Sequence, residues 1–235
     1  MRNRFAAVTA AALMLSGTVA AQELEVSANV TLASDYSLRG VSQTDRGPAI
    51  QGGFDVAFGS GFYVGTWASN VAFGITSMEW DLYLGYAGQI TDDIGYDVSY
   101  FRFEYPEAGE LDYNEFHASL AWRDFTFGLG YSPEYLALDS VTWWYPNVSY
   151  SLSLRNEWTL DVTLGYSILD DNSAQDWAAL FGDDRVFDWS ITYSVPVAGL
   201  DVGFGVVGTD IKKRDCFGGD KACQTRAVVS LSKAL

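Results

Sequence analysis

Residues 24–32 read Leu-Glu-Val-Ser-Ala-Asn-Val-Thr-Leu, so apolar and polar side chains alternate along the whole stretch. A period of two is typical of a β-strand with one apolar face and one polar face. The same alternation returns at 50–58, 78–86, 115–122, 158–166 and 187–195. Less regular segments lie near 62–71, 94–104, 125–135, 146–155, 200–209 and 225–234. Together they predict about twelve strands, or about ten to fourteen when the imprecision of strand boundaries is included.

The connections between the predicted strands alternate in length. Short connections lie at 59–61, 89–93, 123–124, 155–157 and 196–199. Long connections lie at about 35–48, 72–77, 105–112, 136–145, 169–185 and 210–224. An even-stranded outer-membrane barrel has this pattern, with short periplasmic turns and longer extracellular loops. The sequence therefore predicts an all-β, transmembrane antiparallel β-barrel. It leaves open whether loop 169–185 folds into the lumen.

Composition also favours β-structure, because the chain has 14 Tyr, 14 Phe and 8 Trp beside only 5 Pro. Beyond the N-terminus, no apolar stretch approaches the ~20 residues that a transmembrane helix needs, so only a closed barrel could cross a bilayer. A soluble barrel or sandwich, with its apolar faces turned inward, is the alternative that composition leaves open. Tryptophans near strand ends predict aromatic girdles at the two membrane interfaces. These are Trp67, Trp80, Trp122, Trp143, Trp144 and Trp158.

The N-terminus has the pattern of a secretory signal peptide. Arg2 and Arg4 precede an apolar run over 5–15, and small residues end it at Ala21. We therefore predict a signal peptide over 1–21 and a single outer-membrane β-barrel domain over 22–235. The formal net charge of −16 argues against nucleic acid as a partner. The expected partners are outer-membrane lipids, the barrel assembly machinery and small solutes or ions, in the outer membrane of a Gram-negative-type bacterium.

A resemblance to a known family lies in residues 34–71. The segments are Ser34-Asp35-Tyr36, Arg39-Gly40-Val41-Ser42-Gln43-Thr44, Pro48-Ala49-Ile50-Gln51-Gly52-Gly53 and Gly61-Phe62-Tyr63-Val64-Gly65-Thr66-Trp67-Ala68-Ser69-Asn70-Val71. They resemble the opening of the TorF family of porins. The resemblance implies an outer-membrane, pore-forming protein, and in pattern it extends over the mature chain.

One strand carries residues of the kind found in hydrolases. His117 lies between Glu115 and Ser119, two residues from each, and is the single histidine of the chain. A histidine that removes a serine proton and is oriented by a carboxylate is the arrangement of a nucleophilic hydrolase. The alternative is that His117 simply lines the lumen. We favour the second interpretation and predict no catalytic residue and no enzyme activity.

The two cysteines predict a structural bond. Cys216 and Cys223 lie in a glycine-rich connection, and export to an oxidising compartment favours a disulfide between them. With one histidine in the chain, a zinc site is a poor alternative. Three acidic pairs could bind divalent cations, but they lack the alternating spacing of a calcium loop. They are Asp92-Asp93, Asp170-Asp171 and Asp183-Asp184. No metal site and no cofactor is predicted.

The polar faces of the strands are predicted to line the lumen. The residues assigned to it are Glu25, Asp55, Glu79, Asp81, Asp97, Glu115, His117, Asp161, Asp188, Asp201 and Arg226, with Arg155 as a second base. Small residues around 149–153, 159–165, 190–194 and 203–205 are expected to leave open space. The acidic lining favours cations, although some acids could pair with Arg39, Arg46 or Arg102. We therefore predict a porin-like channel for passive diffusion of small hydrophilic solutes or ions. A closed structural or binding barrel with a plugged lumen is the alternative.

Overall fold

The computed structural model describes residues 24–137, 141–170 and 181–235. The strands in chain order are β1 (Leu24–Ala33), β2 (Ser37–Leu38), β3 (Val41–Ser42), β4 (Ala49–Phe58), β5 (Phe62–Asn70), β6 (Met78–Thr91), β7 (Ile94–Glu104), β8 (Tyr113–Trp122), β9 (Phe125–Ser132), β10 (Trp143–Ser153), β11 (Thr159–Leu169), β12 (Arg185–Val197), β13 (Leu200–Thr209) and β14 (Arg226–Ala234). Short 3-10 turns lie at Gly109–Leu111, Tyr135–Ala137, Arg155–Glu157 and Lys213–Asp215. Among the described residues, no helix has the length and hydropathy needed to cross a membrane. The predicted signal peptide lies outside the described residues.

All strands except β2 and β3 form one closed antiparallel barrel, in which each strand pairs with its neighbours in the chain. The first and last barrel strands complete the ring, with Asn29 facing Ala234. Closure leaves no strand edge with unpaired backbone groups, which is the condition for a β-structure in a bilayer. The predicted fold class and the count of about twelve strands are confirmed. The long connection predicted at about 35–48 contains an additional hairpin, formed by β2 and β3.

The connections divide the barrel into two ends. Tight turns after β4, β6, β8, β10 and β12, together with both ends of the described chain, lie at what we call the short-turn end. Residues 34–48, 71–77, 105–112, 133–142, 170–184 and 210–225 connect strands at the opposite, long-loop end. The connections therefore alternate between short and long as the sequence predicted. Residues 171–180 lie outside the described part of the chain. Whether loop 169–185 folds into the lumen therefore stays the open question that the sequence raised.

The outer face of the barrel is apolar. Leu24, Ile50 and Phe204 are between 52% and 65% exposed, and similar side chains project from every strand of the ring. A soluble barrel would turn such residues inward, whereas a transmembrane barrel presents them to lipid. The direction of the apolar faces therefore decides between the two alternatives that composition left open.

The tryptophans divide between the two faces. Trp80, Trp122, Trp144 and Trp158 are 38–44% exposed on the outside, as expected of girdle residues. The prediction was wrong for Trp143, which is fully buried, and for Trp67, which packs at 5.3 Å between ring centroids on the buried Tyr36. Both occupy inward-facing strand positions, and the inside of the barrel at these levels is filled rather than open.

Candidate functional site

The connection of residues 34–48, which we call the inserted loop, carries the hairpin of β2 and β3. Its two-residue turn is Arg39-Gly40, with φ of 46° and 78°. Two successive positive φ values are the signature of the turn that matches the twist of a tight hairpin, and glycine adopts them without strain. A Cβ on Gly40 would also lie 2.6 Å from the carbonyl oxygen of Gly208 in β13. The turn therefore presses against one wall and places the Arg39 side chain at the hairpin tip.

The inserted loop crosses the interior at the long-loop end. Its Tyr36 hydroxyl donates a hydrogen bond of 2.6 Å to Glu79 in β6. Arg39 reaches Glu115 in β8, and the Gly40 carbonyl accepts a hydrogen bond of 2.8 Å from Arg226 in β14. In the order of the ring, β8 and β14 lie on opposite sides. A loop that contacts both at once must lie across the lumen.

Arg39 is held by a carboxylate and by aromatic rings. Its guanidinium donates to both oxygens of Glu115, at 2.9 and 2.6 Å, and to the Tyr135 hydroxyl at 3.1 Å. The guanidinium carbon lies 4.1 Å from the ring centroid of Trp143, 4.9 Å from that of Tyr145 and 5.8 Å from that of Tyr135. We call Glu115 and these three rings the aromatic cage. Bidentate pairing and cation–π contact both suit a planar guanidinium.

The charge on Arg39 is secured by its surroundings. Burial lowers the pKa of Arg39, but the facing Glu115 carboxylate more than offsets this, so the pKa lies well above its ordinary value. The side chain of Glu115 is fully buried, and that of Arg39 is 12% exposed. A desolvated carboxylate without a cation would be costly, so each residue needs the other. Arg39 thus stays a cation throughout the physiological pH range.

A second ion pair holds the base of the inserted loop, and in this pair the loop contributes the acid instead of the base. Asp35 of the loop pairs with Arg226 of β14, and both side chains are 3% exposed. The second Asp35 oxygen accepts hydrogen bonds from Ser42 at 2.5 Å and Thr44 at 3.0 Å. The loop therefore supplies the cation to one wall and the anion to the opposite wall. This reciprocal arrangement fixes the orientation of the loop as well as its position.

The cysteines form the predicted disulfide, Cys216 to Cys223. Both residues are fully buried and belong to the same cluster of apolar residues as Trp143. The carbonyl of Ala222, within the closed loop, accepts hydrogen bonds from the Ser42 amide at 3.0 Å and from Arg226 at 3.1 Å. The pairing is confirmed. Through the Ala222 carbonyl, the disulfide loop also contacts the inserted loop.

The predicted lumen residues fall into two groups along the barrel. Near the long-loop end the fully or almost fully buried ones are Glu79, Asp81, Glu115, Asp188 and Arg226. Toward the short-turn end, Asp55 accepts a hydrogen bond from Tyr83 at 2.5 Å, and Asp97 accepts one from Tyr63 at 2.8 Å. Asp161 accepts a hydrogen bond of 2.5 Å from Ser151. Glu25 and Asp201 are exposed at the short-turn rim.

Two further bases are Arg155 and Arg39. Arg155, assigned to the lumen from strand parity, lies exposed in a 3-10 turn at the short-turn end. The assignment was wrong because β10 ends at Ser153, before that residue. Arg39, expected as a possible partner of the lumen acids, pairs with Glu115 inside the barrel.

The residues of the hydrolase hypothesis do not form a relay. The His117 ring nitrogen lies 2.7 Å from Glu115, but the same carboxylate is already engaged by Arg39. Within the described chain no hydrogen bond joins His117 to Ser119, and the His117 ring packs edge-on against Phe101 at 5.3 Å. The described residues also contain no group of three or more His, Cys, Asp or Glu placed to hold a metal ion.

The chain matches a family model over residues 18–235, and the model is described as "Bacterial protein of unknown function (Gcw_chp)". It belongs to the Gcw_chp family. The family description does not mention TorF, so the TorF resemblance of residues 34–71 stays a prediction. Among curated proteins, none matches this Gcw_chp chain.

Solved porin structures share the fold of this Gcw_chp protein. The KdgM porin is similar with a TM-score of 0.55 and 11% identity, over 88% of this chain and 98% of that one. The NanC porin is similar with a TM-score of 0.54 and 10% identity, over 89% and 98%. KdgM in complex with disordered oligogalacturonate gives a TM-score of 0.50 at 11% identity, over 88% and 97%. At these identities the likeness concerns the barrel fold alone.

Proposed function

We propose that this Gcw_chp protein is a porin-like channel of a bacterial outer membrane, through which small hydrophilic solutes or ions diffuse passively. The short turns would face the periplasm and the long loops the exterior. The observation that carries the proposal is the inner wall of β10 to β14 toward the short-turn end. Small hydroxyl and glycine residues predominate on this wall, several of them partly exposed, and Asn147 and Asp161 lie among them. The small residues are Ser149, Ser151, Thr163, Ser190, Thr192, Ser194, Gly203, Gly205, Ser230 and Ser232.

We further propose that the channel prefers cations. The buried or partly buried carboxylates on the inner wall or the inserted loop are Asp35, Asp55, Glu79, Asp81, Asp97, Glu115, Asp161 and Asp188. Arg39 and Arg226 pair with Glu115 and Asp35, one each. For the other carboxylates of this set, every hydrogen-bonding side chain found among the described residues is a tyrosine, serine or threonine hydroxyl rather than a cation. The accessible carboxylates, which are Asp97 and Asp161 on the inner wall and Glu25 and Asp201 at the short-turn rim, attract cations and repel anions.

The charge of the interior separates this chain from one of its structural neighbours. KdgM has been solved in complex with oligogalacturonate, which is a chain of carboxylated sugars. A polyanion of this kind would meet the carboxylates described above. We therefore propose that the solutes of this channel are neutral or cationic, despite the shared barrel.

Planar-bilayer recordings of the purified protein test the proposal. Discrete conductance steps with a reversal potential of the cation-selective sign in a KCl gradient are expected. Conductance steps with a preference for chloride would refute the proposed cation selectivity but would still support a channel. The absence of steps under all voltages would refute the channel itself.

A second candidate function is a closed barrel whose outer loops bind a partner. It is favoured by the packing at the long-loop end, where the inserted loop, Trp143 and Tyr113 fill the interior. Replacing residues 37–42 by a short glycine linker separates the two candidates. A channel narrowed by the loop should already conduct in the wild type and conduct severalfold more in the variant. A plugged barrel should conduct only in the variant.

A further inference from the structure

The aromatic cage has the chemistry of a ligand site, although the protein fills it with its own side chain. The rings of Tyr135 and Trp143 are stacked at 4.6 Å and 5°, and those of Trp143 and Tyr145 at 5.3 Å and 11°. Such a stack presents flat π-faces, and Glu115 closes the site with two acceptor oxygens. A planar cation with parallel N–H donors satisfies both features at once. An ammonium ion, which is a compact point charge, would use only part of them.

The cage also holds polar atoms that Arg39 does not use. Among the described residues, no hydrogen-bond partner is found for the Trp143 indole nitrogen, the Ser132 hydroxyl or the second carboxylate oxygen of Asp188. These residues are 0%, 0% and 4% exposed. Ser132 lies opposite Trp143 across the strand pair, and Asp188 accepts the Tyr145 hydroxyl hydrogen bond at 2.9 Å. Buried polar atoms of this kind are costly unless something satisfies them. They could contact the remainder of a solute larger than a guanidinium group.

The position of Arg39 makes exchange with a solute physically reasonable. It sits at the tip of a two-residue turn on a short hairpin, and the hairpin enters from the long-loop end. Glu115 on β8 and Trp143 and Tyr145 on β10 belong to the barrel wall, so this part of the cage would persist if the Arg39 side chain withdrew. The same carboxylate and rings would then face the lumen without a cation.

We propose that the aromatic cage is a binding site for small solutes that end in a guanidinium group, and that Arg39 occupies it as an internal substitute for the solute. A solute of this class competes with Arg39 and displaces its side chain from the cage. The inference deepens the proposed cation preference, and it rests on the channel for the route by which the solute arrives. It assigns the recognition step to Glu115, Trp143 and Tyr145.

The test uses the full-length protein in detergent and the variant Arg39→Ala, which empties the cage. The probe is ethylguanidinium, which resembles the end of the removed side chain, and binding is followed by saturation-transfer NMR. Ethylurea, planar but neutral, and ethylammonium are the control compounds. We expect saturable binding of ethylguanidinium to Arg39→Ala, several times tighter than binding of either control and several times tighter than its binding to the wild type. The double variant Arg39→Ala/Glu115→Gln should lose it.

Arg46→Ala is the matched control variant, because Arg46 is an exposed arginine of the same inserted loop. It should bind the probe no better than the wild type does. Equal binding of ethylguanidinium to Arg39→Ala and to Arg39→Ala/Glu115→Gln, or no saturable binding to Arg39→Ala, would overturn the proposal. If Arg39→Ala does not fold, its refolding yield from urea becomes the measurement. Recovery with ethylguanidinium but not with ethylurea supports the site, and no recovery overturns it.

These measurements do not depend on conduction. If the protein binds ethylguanidinium but gives no current, the proposal of a ligand site in the cage stands and the proposal of a channel fails. If the protein conducts but its Arg39→Ala variant does not bind ethylguanidinium, the proposal of a channel stands and the proposal of a ligand site in the cage fails.

Discussion

The two halves of the barrel interior use the same inward-facing strand positions but fill them differently. Toward the long-loop end, Glu115, Trp143 and Arg226 are between 0% and 6% exposed and pack on the inserted loop. Toward the short-turn end the wall of β10 to β12 is more open: Ser149, Asp161 and Thr192 are partly exposed, although Asp55 on β4 and Tyr63 on β5 are 5% and 3% exposed. Strand alternation decides only which side chains point inward. Whether the interior is packed or open depends on what the loops bring into it.

The largest loss of stability is expected when the buried charge of Arg39 is removed from the packed half. Arg39→Ala leaves the fully buried Glu115 without its cation, and should lower the free energy of unfolding by about 3–5 kcal/mol. Urea titration in detergent micelles, followed by tryptophan fluorescence, measures it. The control Arg46→Ala removes an exposed arginine of the same loop and should change stability by less than about 0.5 kcal/mol. Equal losses in the two variants would mean that the Arg39 pair does not hold the packed half together.

A smaller and more local effect is expected from the disulfide. Replacing Cys216 and Cys223 by Ser should cost about 2–3 kcal/mol on the chain-entropy model of an eight-residue closed loop. Because the Ser42 amide donates to Ala222 within that loop, the inserted loop should also open more often. Hydrogen exchange read by mass spectrometry is then faster in peptides of residues 36–48. Peptides of the short-turn end should exchange as in the wild type. Unchanged exchange in residues 36–48 would show that the contact with the disulfide loop does not restrain the inserted loop.

The barrel was predictable because its signal is local. Alternation within each strand and the lengths of neighbouring connections need no knowledge of the rest of the chain, and they predicted the strands to within a few residues at most boundaries. The predicted end of a strand was too early where the hairpin continues further, as in β6, which pairs with the start of β7 as far as Thr91.

The interior was not predictable in the same way, because its contacts are long-range. Arg39 and Glu115 are 76 residues apart, and Asp35 and Arg226 are 191 apart. No period or spacing links such pairs. The available signal was the Arg39-Gly40 dipeptide, which suits a two-residue hairpin turn, flanked by short polar and apolar alternation. It could have predicted the hairpin of β2 and β3, but not that the hairpin lies inside the barrel.

Ion selectivity offers a sharper comparison of the two halves. Asp161 is partly exposed in the open half, whereas Asp188 is 4% exposed and accepts the Tyr145 hydroxyl hydrogen bond. An ion in the lumen senses an accessible carboxylate more strongly than one enclosed by packing. Asp161→Asn should therefore reduce the cation-to-anion permeability ratio more than Asp188→Asn does. Reversal potentials in a KCl gradient measure both. A larger shift from Asp188→Asn would place the conducting path in the half that we describe as packed.

The smallest effect is expected from two serines, one in each half. Ser149 shares a hydrogen bond of 3.0 Å with Thr163, so Ser149→Ala should cost about 0.5–1.5 kcal/mol. Ser132 is fully buried beside Trp143, and the described residues offer its hydroxyl no hydrogen-bond partner. An unsatisfied buried hydroxyl opposes folding, so Ser132→Ala should be neutral or stabilising by up to about 1 kcal/mol. Urea titrations under the same conditions compare the two. If Ser132→Ala is the more costly change, its hydroxyl must have a partner such as a bound water or solute, and the packed half would then contain a polar ligand site beside the cage.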